Sequence, residues 1–181
     1  MGEIHDLETL AEIRADLRRR GATVVLTNGC FDLLHVGHVR YLQAARRLGD
    51  CLIVGVNADE SVRRLKGEGR PLLPEAERAE VVAALGCVDY VVIFPEETAE
   101  HLVARLEPDV YVKGSDYGPG GKELPEAELV AAHGGRIEFI PLTSGRSSSG
   151  IIERIRGSGS GTGLERSVDA SLTSRTGRSC T

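Results

Sequence analysis

The chain has 181 residues, 41% of them hydrophobic. That suffices for one domain with a real core and excludes global disorder. Acidic residues number 27 and basic ones 22, a formal net charge of -5, and aromatics make up 4%. A polynucleotide partner calls for a basic surplus or a stacking platform, so nucleic-acid binding is disfavoured. A small polyanion held by a few convergent cations stays compatible with this balance.

Helical and strand patterns alternate along the chain. Leu7, Leu10, Ile13 and Leu17 recur at helical spacing and stop before Gly21. Ala22 to Thr27 is a short apolar, β-branched run that suits a buried strand. Val39 to Leu48 reads as a helix ended by Gly49, and Cys51 to Val56 as a second buried strand. A short helix over Ser61 to Leu65 precedes a loop with Gly67, Gly69 and Pro71. Pro74 stands where the next helix starts, and Glu75 to Leu85 continue it to Gly86. Val88 to Phe94 is a third strand, Thr98 to Leu106 a helix, and Val110 to Lys113 a fourth strand. After a Gly118 to Gly121 loop come a helix over Glu126 to His133, a fifth strand over Ile137 to Leu142, and a last helix over Ser149 to Ile155.

Apolar strands separated by helices imply a parallel sheet covered on both faces. The expected fold is therefore α/β, a Rossmann-like, doubly wound sheet of five strands spanning residues 1–156. Ligands bind such sheets beyond the carboxyl ends of the strands. From Gly157 onward Gly, Ser, Thr and Arg dominate, so 157–181 reads as a disordered tail.

The N-terminus carries Glu3, Asp6 and Glu8 and no long apolar run, so neither a signal peptide nor a membrane span is expected. Cys30, Cys51, Cys87 and Cys180 are far apart and form no Cys-x-x-Cys pair. Reduced thiols and a cytoplasmic location are the expectation.

The first chemical site follows the first strand. Gly29 permits a tight turn, and the chain runs through Asp32 to His35-Val36-Gly37-His38 where a helix begins. A helix N-terminus offers free N–H groups and the positive end of a dipole, which favour phosphate. Residues three apart share a helix face, so both imidazoles can meet one phosphate, and Gly37 lets the ligand approach. Zinc ligation is the alternative, yet no further ligand has a convincing spacing, so no metal site is assigned. His5, His101 and His133 read as structural.

Gly29-Cys30-Phe31-Asp32 with His35-Val36-Gly37-His38 resembles the signature of the cytidylyltransferase-like nucleotidyltransferase superfamily. The likeness runs from about Thr23 to Ile155. It takes in Val56-Asn57-Ala58-Asp59, Arg64-Leu65-Lys66-Gly67, Arg70-Pro71, Arg78, Val88-Asp89-Tyr90-Val91-Val92, Pro108-Asp109, Lys113-Gly114-Ser115-Asp116-Tyr117 and Ser147-Ser148-Ser149-Gly150-Ile151-Ile152. Within the superfamily it is most similar to the branch that adenylylates D-glycero-D-manno-heptose 1-phosphate in ADP-heptose synthesis. That branch is often fused to a sugar kinase, and this chain resembles the stand-alone form.

The resemblance implies ATP and Mg²⁺, a sugar phosphate acceptor and a homodimer. It makes His35, His38 and Lys66 the catalytic groups. Asn28, Gly29, Cys30, Phe31, Gly37, Lys113, Gly114, Asp116, Arg146, Ser147, Ser148 and Ser149 would hold the nucleotide. Asp32, Asn57 and Arg78 would serve the acceptor. Taken singly, several of these residues read otherwise as well. Lys66 and Lys113 suit a solvated surface, Asp32 a helix cap, Arg78 a carboxylate pair, and the serines simple N-capping. Ser-Ser-Ser replaces the family's more usual Ser-Thr-Thr and keeps the hydroxyls.

Related branches use similar motifs for glycerol phosphate, ethanolamine phosphate, FMN or pantetheine phosphate. A nucleotide-binding regulator without catalysis is the alternative from another class.

Overall fold

The computed structural model describes residues 1–118, 120–141 and 147–158. Glu3–Ile4 (β1) leads into Leu7–Arg19 (α1), which Asp6 caps by accepting the Thr9 N–H at 2.7 Å. Gly21 takes a left-handed φ of 71° at the turn into Val24–Gly29 (β2). There follow Val36–Arg46 (α2), Cys51–Asn57 (β3), Asp59–Lys66 (α3), Glu75–Ala83 (α4), Tyr90–Phe94 (β4) and Glu100–Leu106 (α5). Val110–Gly114 (β5), a single 3-10 turn at Ser115–Tyr117, Ala127–Ala132 (α6), Arg136–Ile140 (β6) and Ser148–Ser158 (α7) complete the order.

All strand pairings are parallel, in the order β1-β4-β3-β2-β5-β6. From β2 the chain winds outward through β3 and β4, then returns to place β5 on the other side of β2. The direction of winding reverses between β2 and β5, and a crevice opens there at the carboxyl ends. Val24 and Leu26 face one core with Leu10, Leu102, Leu106 and Tyr111. Val25 faces the other with Leu42, Val54, Val82 and Val112. The two-residue period of the strand thus feeds two helical layers from one sheet.

The sheet has six strands where sequence periodicity predicts five. The additional strand, β1, aligns Glu3 with Tyr90 and Ile4 with Val91. Two residues are too few to show an alternating pattern, and neither Glu3 nor Ile4 is buried. Gly2 is needed for the approach, since a Cβ there would lie 2.7 Å from the Val88 carbonyl oxygen. The last strand ends at Ile140, two residues before the expected Leu142, which lies outside the described residues. Helix α7 runs to Ser158, beyond the expected boundary at 156, and the rest of the expected tail is outside the described residues.

Candidate active site

The crevice is a cavity of about 580 Å³ whose walls come from β2, β3, α2, α3, β5 and the start of α7. Asn28 and Gly29 end β2 at its floor. The turn that follows is tight: a Cβ on Gly29 would lie 3.2 Å from the Phe31 ring, and Phe31 itself takes a φ of 44°. A bulky residue is held in left-handed backbone only where its surroundings over-determine it. Here Phe31 is buried in the core and packs edge-on to His38, with ring centroids 5.4 Å apart.

His35 is the N-cap of α2, its Nδ1 accepting the Gly37 N–H at 3.1 Å. Because Nδ1 accepts, a neutral His35 carries its proton on Nε2. The His35 and His38 rings stack with centroids 4.0 Å apart and planes 25° off parallel. Burial, with smaller contributions from His35 and Lys66, pushes the His38 pKa down to about 4. His38 is therefore neutral at pH 7. Its Nδ1 is buried without a hydrogen-bond partner.

Lys66 ends α3 on the cavity wall and is exposed. Opposite, Lys113 is 7% exposed at the end of β5. Its ammonium donates to Asn28 Oδ1 at 3.2 Å and sits 4.3 Å from the centre of the Tyr117 ring. Burial lowers its pKa, an effect that Glu126 and Asp116 oppose. The Tyr111 hydroxyl donates to the same Asn28 oxygen at 2.7 Å. Asp116 pairs with Lys122 at 2.6 Å. At the α7 end, Ser147 Oγ accepts the Gly150 N–H at 3.0 Å as an N-cap. Ser148 Oγ donates to the Leu33 carbonyl at 3.0 Å and ties that helix start to the glycine turn. Ser149 also lines the cavity, whereas Arg146 lies outside the described residues.

The fold thus brings Asn28, Gly29, Cys30, Phe31, His35, Gly37, His38, Lys66, Lys113, Gly114, Asp116 and the three serines to one cavity. The expected acceptor ligands sit differently. Arg78 is 1% exposed and is not part of the cavity wall. Its guanidinium donates to the carbonyls of Leu73, Cys30 and Asn57 and pairs with Asp59 at 2.7 Å. It braces the back of the turn from α4, which packs against β3 and β4. Asp32 and Asn57 reach the wall but are already engaged. Asp32 accepts the Leu72 N–H at 2.6 Å and pairs with Arg70 at 2.9 Å. The Asn57 amide donates to Ser61 and to the Glu96 carbonyl.

Tyr41 and Glu126 line the cavity, and Tyr111 holds Asn28 from behind it, without any motif to announce them. Tyr41 lies one turn beyond His38 and reaches the Val112 carbonyl at 3.0 Å. Glu126 is 3% exposed and accepts the Ala99 N–H at 2.7 Å. Among the described residues no group of three His, Cys, Asp or Glu side chains could hold a metal ion. Of the wall carboxylates, Asp32, Glu97, Asp116 and Glu126 have protein partners, and Glu123 is exposed. The donor set therefore suits a cation that arrives already bound to phosphate, not one caged by the protein.

Strand order and a crevice at the switch point define a doubly wound fold of the nucleotide-binding kind. The chain belongs to the cytidylyltransferase-like family, whose profile matches residues 26–154. It is 57% identical over 148 residues to the bifunctional protein HldE of Syntrophotalea carbinolica, covering 82% of this chain and 30% of that protein. Against the bifunctional protein HldE of Streptomyces coelicolor it is 51% identical over 154 residues, covering 85% and 33%. The chain spans about a third of the length of these curated relatives.

Among solved structures, the lipopolysaccharide core biosynthesis protein of Thermoplasma volcanium matches with a TM-score of 0.55 at 28% identity, covering 68% of this chain and 98% of that one. The pantoate-beta-alanine ligase of Francisella tularensis, complexed with beta-gamma ATP and beta-alanine, shares the fold with a TM-score of 0.55 at 14% identity, covering 82% and 69%. No helix among the described residues is long and apolar enough to cross a membrane.

Proposed function

We propose that the chain is an adenylyltransferase that moves AMP from ATP to a sugar 1-phosphate, D-glycero-D-manno-heptose 1-phosphate, giving ADP-heptose and pyrophosphate. The observation that carries this reading is the stacked His35–His38 pair at the start of α2 inside the switch-point cavity. Identity above 50% to the HldE relatives supports the heptose branch.

The acceptor phosphate has a second pKa of about 6, so it is largely ionised at pH 7 and no general base is required. Its oxygen attacks the α-phosphorus in line, and the bond to the pyrophosphate oxygen breaks. The obstacle is anionic repulsion, together with charge gathering on the α-phosphate and the departing pyrophosphate. In this reading His35 donates from Nε2, and His38 and Lys66 stabilise that charge. Asn28, Gly29, Cys30, Phe31 and Gly37 would line the nucleotide site. Lys113, Gly114, Asp116 and the N–H groups at Ser147 to Ser149 would complete it. Asn57 and Asp32 would border the acceptor, while Arg78 would support the turn from behind. Mg²⁺ would enter as part of the MgATP substrate.

The family resemblance adds a homodimer, and the reading of the cysteines and N-terminus a cytoplasmic location, tested by sedimentation and by fractionation. Pyrophosphate release measured with ATP or CTP, each offered sugar and polyol phosphates, tests the reading. ATP with a sugar 1-phosphate is expected to be the best pair. A strong preference for CTP would defeat the adenylyl assignment.

A further inference from the structure

Resting on the adenylyl-transfer reading, we infer that Arg70 is a positioning residue: by gripping Asp32 it latches the loop 67–73 to the glycine turn and so holds Lys66 at the cavity wall. Asp32 follows that turn, and its side chain is fully buried. Its contacts run to this one loop, to the Leu72 N–H at 2.6 Å, the Leu73 N–H at 3.4 Å and Arg70 Nε at 2.9 Å. Arg64 holds the end of α3 by pairing with Glu97 at 2.6 Å and donating to the Pro95 carbonyl, but little restrains the chain between Gly67 and Arg70. Residues 63–69 are all exposed. Gly67 and Gly69 take φ of 87° and 79°, and no atom lies within 4 Å of a Cβ built on either. The next tie is at the far end, where Arg78 donates to the Leu73 carbonyl at 3.0 Å.

The Arg70–Asp32 contact has a particular form. Arg70 Nη2 and Asp32 Oδ2 are both buried without a hydrogen bond. The pair is joined through Nε and charge, not through the bidentate fork that arginine usually forms with carboxylate. Removing Arg70 leaves the carboxylate with only the Leu72 and Leu73 N–H groups, so the start of the loop, between Gly67 and Arg70, loses its tie to the glycine turn. Lys66, one residue before the first of the two glycines, would then be held at the cavity wall from the α3 side alone. A carboxylate at the cavity wall that serves only the lysine's loop couples the turn to the lysine.

A double-mutant cycle on the full chain tests this, using pyrophosphate release by wild type, Lys66→Ala, Arg70→Ala and the double variant. Lys66→Ala should lower kcat roughly 100- to 1000-fold, as loss of a charge-stabilising donor does. Arg70→Ala should lower kcat about 10- to 100-fold, the scale of a misplacement near 1 Å. The double variant should be no slower than Lys66→Ala, because the two act as a unit. Arg70→Lys, which keeps the charge, should recover part of the loss, and it replaces Arg70→Ala in the cycle should that variant fail to fold. Amide exchange at Leu72 should quicken in Arg70→Ala. An Arg70→Ala loss that repeats in full on the Lys66→Ala background overturns the inference, as does a wild-type kcat in Arg70→Ala. If wild type releases no pyrophosphate with any acceptor, the adenylyl reading fails by itself. The same cycle on ATP affinity then decides the latch, with non-additive losses supporting it and additive losses overturning it.

Discussion

Acid should destabilise this protein through His38, and His38→Gln should relieve the effect. Burial beside His35 and Lys66 lowers the pKa from 6.5 to about 4. The unfolded chain takes up its proton near pH 6.5, the folded one only near pH 4. The folded state therefore loses stability as pH falls through that window and is unaffected above it. Linkage between those two values gives at most about 2 kcal/mol at pH 5, and solvent screening of a half-buried ring brings it nearer 1 kcal/mol. Urea unfolding at pH 7.5 and pH 5 measures it, comparing wild type with His38→Gln. The variant should lose about 1 kcal/mol less than wild type between the two pH values. Equal losses in both proteins would refute a ring held neutral by its site. MgATP should shrink the difference, because phosphate beside the imidazole raises its pKa.

Two further outcomes follow from packing. Arg78→Ala should cost about 3–5 kcal/mol in urea unfolding, since it strands Asp59 and three carbonyls behind the turn; a loss below 1 kcal/mol would show that the turn is braced elsewhere. Ser147→Ala should cost about 1 kcal/mol by removing the cap on α7, while Ser147→Thr should cost little.

Much of this architecture is legible in the sequence, for physical reasons. Strands β2, β3 and β5 are apolar runs because both faces are covered, and that burial leaves an uninterrupted signal. The glycine turn and histidine pair stand out because they fall together in one short stretch, Gly29 to His38. Strand β1 is hidden because two exposed residues on a sheet edge carry no period. Arg78 illustrates a different limit. Its charge suggests a ligand contact, but three carbonyls brought together by the fold make it an internal brace, and no local pattern encodes their convergence. Asp32 is similar, since its partners lie 40 residues away, in a loop whose path depends on α3 and α4. Tyr111 and Glu126 read as ordinary core and helix residues until β5 and α6 bring them beside Asn28 and Ala99.

Adenylyl transfer to a heptose 1-phosphate is the reaction proposed for the His35–His38 cavity. Its most direct test is product analysis after incubation with MgATP and each anomer of D-glycero-D-manno-heptose 1-phosphate. ADP-heptose and an equal amount of pyrophosphate are expected from one anomer, with the yield collapsing in His38→Ala. Absence of a nucleotide sugar from either anomer, or full activity in His38→Ala, would contradict it.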